Sequence, residues 1–121
     1  EQYLRDAIGD LYDHVEISEL QSSDPTACAY GDGNPLWDAV TKHTQIAYPG
    51  AKLIPGLITG GTDARFYRER GSVAYGAGLY SGKMDFATFG ARFHGNDERI
   101  DLESLGLAAE YFYGITKDLL T

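Results

Sequence analysis

Cysteine occurs once in the 121 residues, at Cys28, which excludes an intrachain disulfide and leaves any thiolate metal site short of ligands. Methionine is as scarce: the single one is Met84, and the chain starts Glu1-Gln2-Tyr3-Leu4-Arg5 inside a helical pattern. The expectation is a piece cut from something longer. Basic residues are few, 10 Lys and Arg against 18 Asp and Glu, so the net charge is -8 and the sequence pI near 4.6. That balance argues against binding a phosphate backbone, which needs clustered cations. No apolar run approaches the roughly 20 residues needed to cross a bilayer, and no succession of charged, apolar and small residues marks a signal peptide. These absences point to a soluble, cytoplasmic protein with neither nucleic acid nor membrane as a partner.

What is present is the composition of a globular chain, 43% hydrophobic and 23% charged with a mean hydropathy of -0.30. A chain of this length is expected to bury roughly two thirds of its unfolded surface. Tyr3, Leu4, Ala7 and Ile8 recur at helical spacing before Gly9-Asp10 stops the helix. His14 to Leu20 alternates, with Val15, Ile17 and Glu19 on one face, and reads as a half-buried strand. Gln21 to Gly33 turns to Ser, Asp, Pro and Gly, the one composition break, and is read as a boundary. Asp32-Gly33-Asn34 has a fragment of a calcium-loop pattern without the remaining ligands, so a plain turn is favoured. Cys28 reads as a small packing side chain.

Asn34 followed by Pro35 forms a helix start, and Leu36, Trp37, Val40, Thr44 and Ala47 share a stripe until Pro49-Gly50 ends the helix near Tyr48. His43 has no acidic or histidine partner three or four residues away and reads as a packing histidine. Lys52 to Ile58 is apolar and of strand length, with Pro55 at a bulge, an edge or the end. It enters Gly60-Gly61, after which Thr62 or Asp63 caps a short helix through Arg70. N–H groups exposed at such a turn form a carboxylate cradle, and a plain strand-to-helix turn fits the same residues equally well.

Ser72 to Tyr75 is a short strand candidate. Gly76, Gly78 and Gly82 fall one residue out of the dinucleotide-binding spacing and are discounted. Met84, Phe86, Phe89 and Phe93 gather apolar bulk ahead of His94. The last helix is capped by Asp101, with Glu103 at its positive end. Its expected buried stripe is Leu105, Ala108, Ala109, Phe112, Ile115 and Leu119, with Glu110, Lys117 and the Tyr111 and Tyr113 hydroxyls on the outer or flanking faces.

The succession Leu53-Ile54-Pro55, Gly60-Gly61-Thr62-Asp63-Ala64-Arg65, Tyr75-Gly76-Ala77-Gly78 and His94-Gly95-Asn96-Asp97-Glu98-Arg99-Ile100 resembles the C-terminal part of the dinuclear zinc amidohydrolases. That family includes acetylornithine deacetylase, succinyl-diaminopimelate desuccinylase, aminoacylase, carnosinase-like dipeptidases and glutamate carboxypeptidase. The resemblance implies an α/β fold class: a fragment of a two-domain zinc exopeptidase. Residues 1–30 would be the tail of the α+β lid, or dimerisation, domain with its linker, and residues 31–121 the C-terminal part of the zinc-binding domain.

By the same resemblance His94 is the last zinc ligand, Gly61 and Thr62 meet the carboxylate end of the substrate, and Asp63, Arg65, Asp97 and Glu98 position them. The implied chemistry is metal-assisted hydrolysis with two zinc ions, a bridging aspartate and a glutamate base acting on a dipeptide, a C-terminal amino acid or an N-acyl amino acid. The family's His-x-Asp and Glu-Glu motifs are absent, and His14-Val15-Glu16 does not replace them. The chain alone is therefore expected to be inactive. Deacylase, dipeptidase and carboxypeptidase specificities stay open, and a homo-oligomer is expected. The competing expectation is a non-catalytic acidic interaction module that keeps the fold.

Overall fold

The computed structural model describes residues 2–18, 26–58 and 60–121. Five α-helices and one 3₁₀ segment form among them: α1 (Gln2–Ile8), the 3₁₀ segment (Gly9–His14), α2 (Pro35–Ala47), α3 (Ala64–Arg68), α4 (Phe86–Gly90) and α5 (Leu102–Leu120).

Two elements carry the packing. Helix α2 starts where Asn34 Oδ1 accepts the N–H groups of Leu36 and Trp37 at 3.1 and 3.2 Å, with Pro35 in the first turn. It ends as expected, the N–H of Tyr48 donating to the Thr44 carbonyl. Helix α5 starts where Asp101 Oδ1 accepts the Ser104 N–H at 2.8 Å. They pack on each other, with Lys42 and His43 beside Asp118 and the His43 ring against Gly114. Between them sits the core of Ala39, Val40, Leu79, Tyr111 and Ile115, ringed by Leu36, Ala47, Tyr48, Leu53, Tyr75 and Leu107.

The face that α5 buries shares Ile115 and the half-buried Ala108 with the expected stripe and otherwise departs from it. Ser104, Tyr111 and Ile115 are buried, whereas Leu105, Phe112 and Leu119 stay exposed. Tyr111, with its hydroxyl expected on an outer or flanking face, is 3% exposed and Phe112, expected inside, is 51% exposed. The helix is apolar around most of its circumference, so hydropathy leaves two candidate faces. The choice falls to contacts with α2 and to Ser104, whose hydroxyl accepts the Ser81 N–H at 2.9 Å and donates to Asp101 Oδ2 at 2.8 Å.

The expected sheet is not formed among the described residues. His14 closes the 3₁₀ segment, which folds back so that the Arg5 guanidinium lies 3.9 Å from the Tyr12 ring centre. Val15 and Ile17 are half exposed, while Glu19, Leu20 and residues 21–25 of the 21–33 boundary lie outside the described residues. Segments 52–58 and 72–75 are irregular backbone with no ladder. They pass close together, the Ile58 side chain lying against Gly76. A period-2 or apolar run becomes a strand only beside another strand that takes its N–H and C=O groups, and neither segment has one among the described residues.

Segment 72–80 is held by side chains instead. Ala74 carbonyl accepts from Arg68 Nε and Nη2 at 2.9 and 2.6 Å and from Cys28 Sγ at 3.3 Å. The Tyr75 hydroxyl donates to the Ala29 carbonyl at 2.6 Å, and that of Tyr48 donates to the Tyr80 carbonyl. Cys28 thus has the packing role expected of it. No helix is long and apolar enough to cross a membrane among the described residues.

Candidate metal-ligand loop and glycine turn

The loop carrying His94 is built from both ends. On its near side, Asp85 caps α4 by accepting the Thr88 N–H at 2.8 Å, and the rings of Tyr80, Phe89 and Phe93 pack edge to face, with centres 4.3, 4.6 and 6.4 Å apart. These rings, with Met84 and Ile100, wall a small cavity of about 70 Å³ behind the loop. On its far side the Asp101 cap also receives Arg92 Nη1 at 3.1 Å, closing residues 92 to 101 into a loop. The Ser104 N–H, then the Ser104 hydroxyl, and more weakly Arg92 hold the Asp101 carboxyl below the usual range.

His94 sits near the tip, exposed, with its ring 6.4 Å from that of Phe93. Its backbone is left-handed, φ 56°, as is that of Asp97, φ 64°. The Glu98 carboxylate accepts the His94 N–H, and Arg99 Nη1 donates to the Asp97 carbonyl at 2.9 Å. Asp97 and Glu98, expected to be positioning residues, therefore belong to the same turn as the histidine.

Gly61 and Thr62 form the other half of the expected site. They line an open depression with Asp63 and Arg65, just ahead of α3. Thr62 Oγ1 accepts the Ala64 N–H at 3.4 Å, while Asp63 makes no side-chain cap. Helix α3 closes earlier than Arg70, at Arg68. Gly61 is not left-handed, and a Cβ placed on it would meet nothing within 4 Å. A positive φ is thus not what places glycine at this position.

The structure does not bring the two halves together: among the described residues no hydrogen bond or shared cavity links His94 to the Gly61-Thr62 turn. Nor do the described residues contain a group of three or more His, Cys, Asp or Glu able to hold a metal ion. The donor chemistry of His94 suits one metal bond, since its imidazole is exposed and neither ring nitrogen is hydrogen-bonded among the described residues. A single donor is not a metal site, and no reaction step follows from it alone.

One cluster escaped the sequence reading. His43 Nε2 lies 2.9 Å from Asp118 Oδ2, which Lys42 Nζ reaches at 2.7 Å. Lys42 first, then His43, holds the Asp118 carboxyl below its usual range. The His43 ring lies over Gly114, where an added Cβ would come within 2.2 Å of Cε1. His43 is a packing histidine, as expected, but with an acidic partner on another helix. Gly114, in the middle of a long helix, was the one available signal of a close approach.

The family model for peptidase family M20/M25/M40 matches residues 3–118, and the chain belongs to that family. Comparisons with curated proteins and with solved structures each gave no match. Membership supports a hydrolase, and peptidases of this family are generally metal-dependent.

Proposed function

We propose that this chain is the C-terminal part of a zinc-dependent peptidase or amidohydrolase, acting on the amide bond of a dipeptide, a C-terminal amino acid or an N-acyl amino acid. The family match over residues 3–118 carries this reading. His94 gives one imidazole donor to a zinc pair whose other ligands lie outside these 121 residues. Gly61 and Thr62 receive the carboxylate end of the substrate, with Arg65 as the cation of that depression. Bound zinc would polarise the scissile carbonyl and lower the pKa of a water. Residues 1–30 belong to the lid domain and 31–121 to the zinc-binding domain, where segments 52–58 and 72–75 join a sheet completed by other strands of an α/β layer. The exposure of Ile54, Leu57 and Ile58, at 83%, 93% and 63%, supports that placement, because several large apolar side chains exposed along one short segment mark a surface that another element covers.

The test is His94→Ala in the complete parent polypeptide. Zinc content and turnover are expected to fall by at least the ~10–100-fold that loss of an outer-shell partner alone produces. The melting temperature of the zinc-free protein should change little, because the side chain is exposed. Unchanged turnover and zinc content would remove His94 from the site and favour a non-catalytic acidic interaction module.

A further inference from the structure

We propose that Glu98 is the positioning residue for His94: its carboxylate pins the His94 backbone in a left-handed turn and thereby fixes the direction in which the imidazole leaves the chain. This rests on the reading of His94 as a metal donor. Left-handed backbone is disfavoured for any residue with a Cβ and persists only where the surroundings impose it. Among the described residues, His94 and Asp97 are the non-glycine residues that adopt it, and both lie in one loop. Each has a side chain of that loop holding it: Glu98 accepts the His94 N–H, and Arg99 Nη1 holds the Asp97 carbonyl. The Arg92–Asp101 pair at 3.1 Å closes the base, so the turn is clamped at tip and root.

The bond from a carboxylate to a backbone N–H is charge-assisted. Made from Glu98, four residues on, it closes the 94–98 turn in which His94 has φ 56°, and that turn restrains the Cα–Cβ direction from which the imidazole's two side-chain torsions start. Neither ring nitrogen is engaged by the described residues, so the ring is aimed without being occupied. A donor oriented in advance gives up less freedom when it binds. Glu98 therefore acts through His94, on backbone geometry, rather than as a ligand.

The test uses the 121-residue chain with Glu98→Ala and Glu98→Gln, glutamine being able to accept the same hydrogen bond while losing the charge of a metal ligand. The first readout is hydrogen exchange of the His94 amide by NMR, expected to accelerate about tenfold or more in Glu98→Ala and far less in Glu98→Gln. The second is a titration of the metal-free complete parent polypeptide, carrying the same two variants, with zinc chloride alone, followed on the His94 imidazole resonances. Half-saturation should need about tenfold more zinc in Glu98→Ala, the scale of an outer-shell loss, with Glu98→Gln close to the parent chain. An unprotected His94 amide in the parent chain overturns the proposal at its contact. Lost amide protection with an unchanged zinc response overturns the positioning role while leaving His94 a donor. Equal loss of zinc response in the Gln and Ala variants makes Glu98 a ligand and overturns it too. Absence of any His94 response to zinc, with the amide protected, refutes the donor reading and reduces Glu98 to a structural contact.

Discussion

Gly114 and His43 show how a single missing Cβ fixes the meeting of two helices. Glycine in a helix interior is about 1 kcal/mol worse than alanine, so Gly114→Ala would ordinarily stabilise. Here the new methyl would press on the His43 ring, whose Nδ1 and Nε2 would lie 2.4 and 2.9 Å away. Overpacking of this kind costs about 1–3 kcal/mol. Gly114→Ala should therefore lower the urea midpoint in the native background, and should raise it, by a stability gain of about 1 kcal/mol, when added to His43→Ala. Additive effects in the two backgrounds would show that the ring yields freely. At this scale the sequence showed that His43 packs rather than ligates, but not with whom. Asp118 is 75 residues away and no local spacing announces it.

At the scale of elements, the caps of the two long helices and the buried face of α2 were legible, and the buried face of α5 was not. Asn34 and Asp101 cap as their positions predict, because a cap is a matter of four consecutive residues. The carboxylates of Asp101 and Asp118 also give the chain an acid limb. Both have folded pKa values below the ordinary aspartate value, Asp101 chiefly through the Ser104 N–H and Asp118 chiefly through Lys42. A depressed folded pKa adds stability that is fully present above about pH 4 and is lost as the pH falls through the lower folded value. The melting temperature is therefore expected to be level near neutrality and to drop below about pH 4, with a shallower drop in Asp118→Asn. Thermal melts across that range would check it, and an identical acid limb in Asp118→Asn would remove this pair from the account. Asp101→Asn should keep much of the helix start, since asparagine also caps, whereas Asp101→Ala should lose it.

Taken whole, the molecule exposes more than a closed globule of its mass. Its accessible surface is 9854 Å² at 13.2 kDa, against about 6,400 Å² for a compact monomer. The excess includes a second apolar face of α5, with Leu102, Leu105, Phe112 and Leu120 at 86%, 51%, 51% and 80% exposure, alongside Ile54 and Leu57. The net charge of -8 opposes association, but its reach is about 8 Å at physiological salt. Apolar burial contributes about 25 cal/mol per Å², so a few hundred Å² favours association by several kcal/mol before entropy. The purified chain is expected to self-associate at micromolar concentrations, and Leu105→Gln with Phe112→Gln to weaken that. Sedimentation across a concentration series is the measurement, and a monomer throughout would contradict the expectation.

The sequence by itself determined the local events: where α2 and α5 begin, the packing role of Cys28, and a motif order specific enough to give the family that residues 3–118 match. Each of these depends on neighbours a few residues apart, or on a linear order of residues that folding does not alter. Only the tertiary structure decided that α5 buries Tyr111 rather than Phe112, that His43 pairs with Asp118, and that Glu98 turns back onto His94. It also decided that the apolar runs 52–58 and 72–75 form no ladder among the described residues. An apolar stripe wide enough for two faces, a histidine with no partner on its own helix, and a strand pattern are all half of an interaction. Their outcome depends on which surface folding brings opposite, and that information lies in the three-dimensional contacts and not in the spacing of the residues.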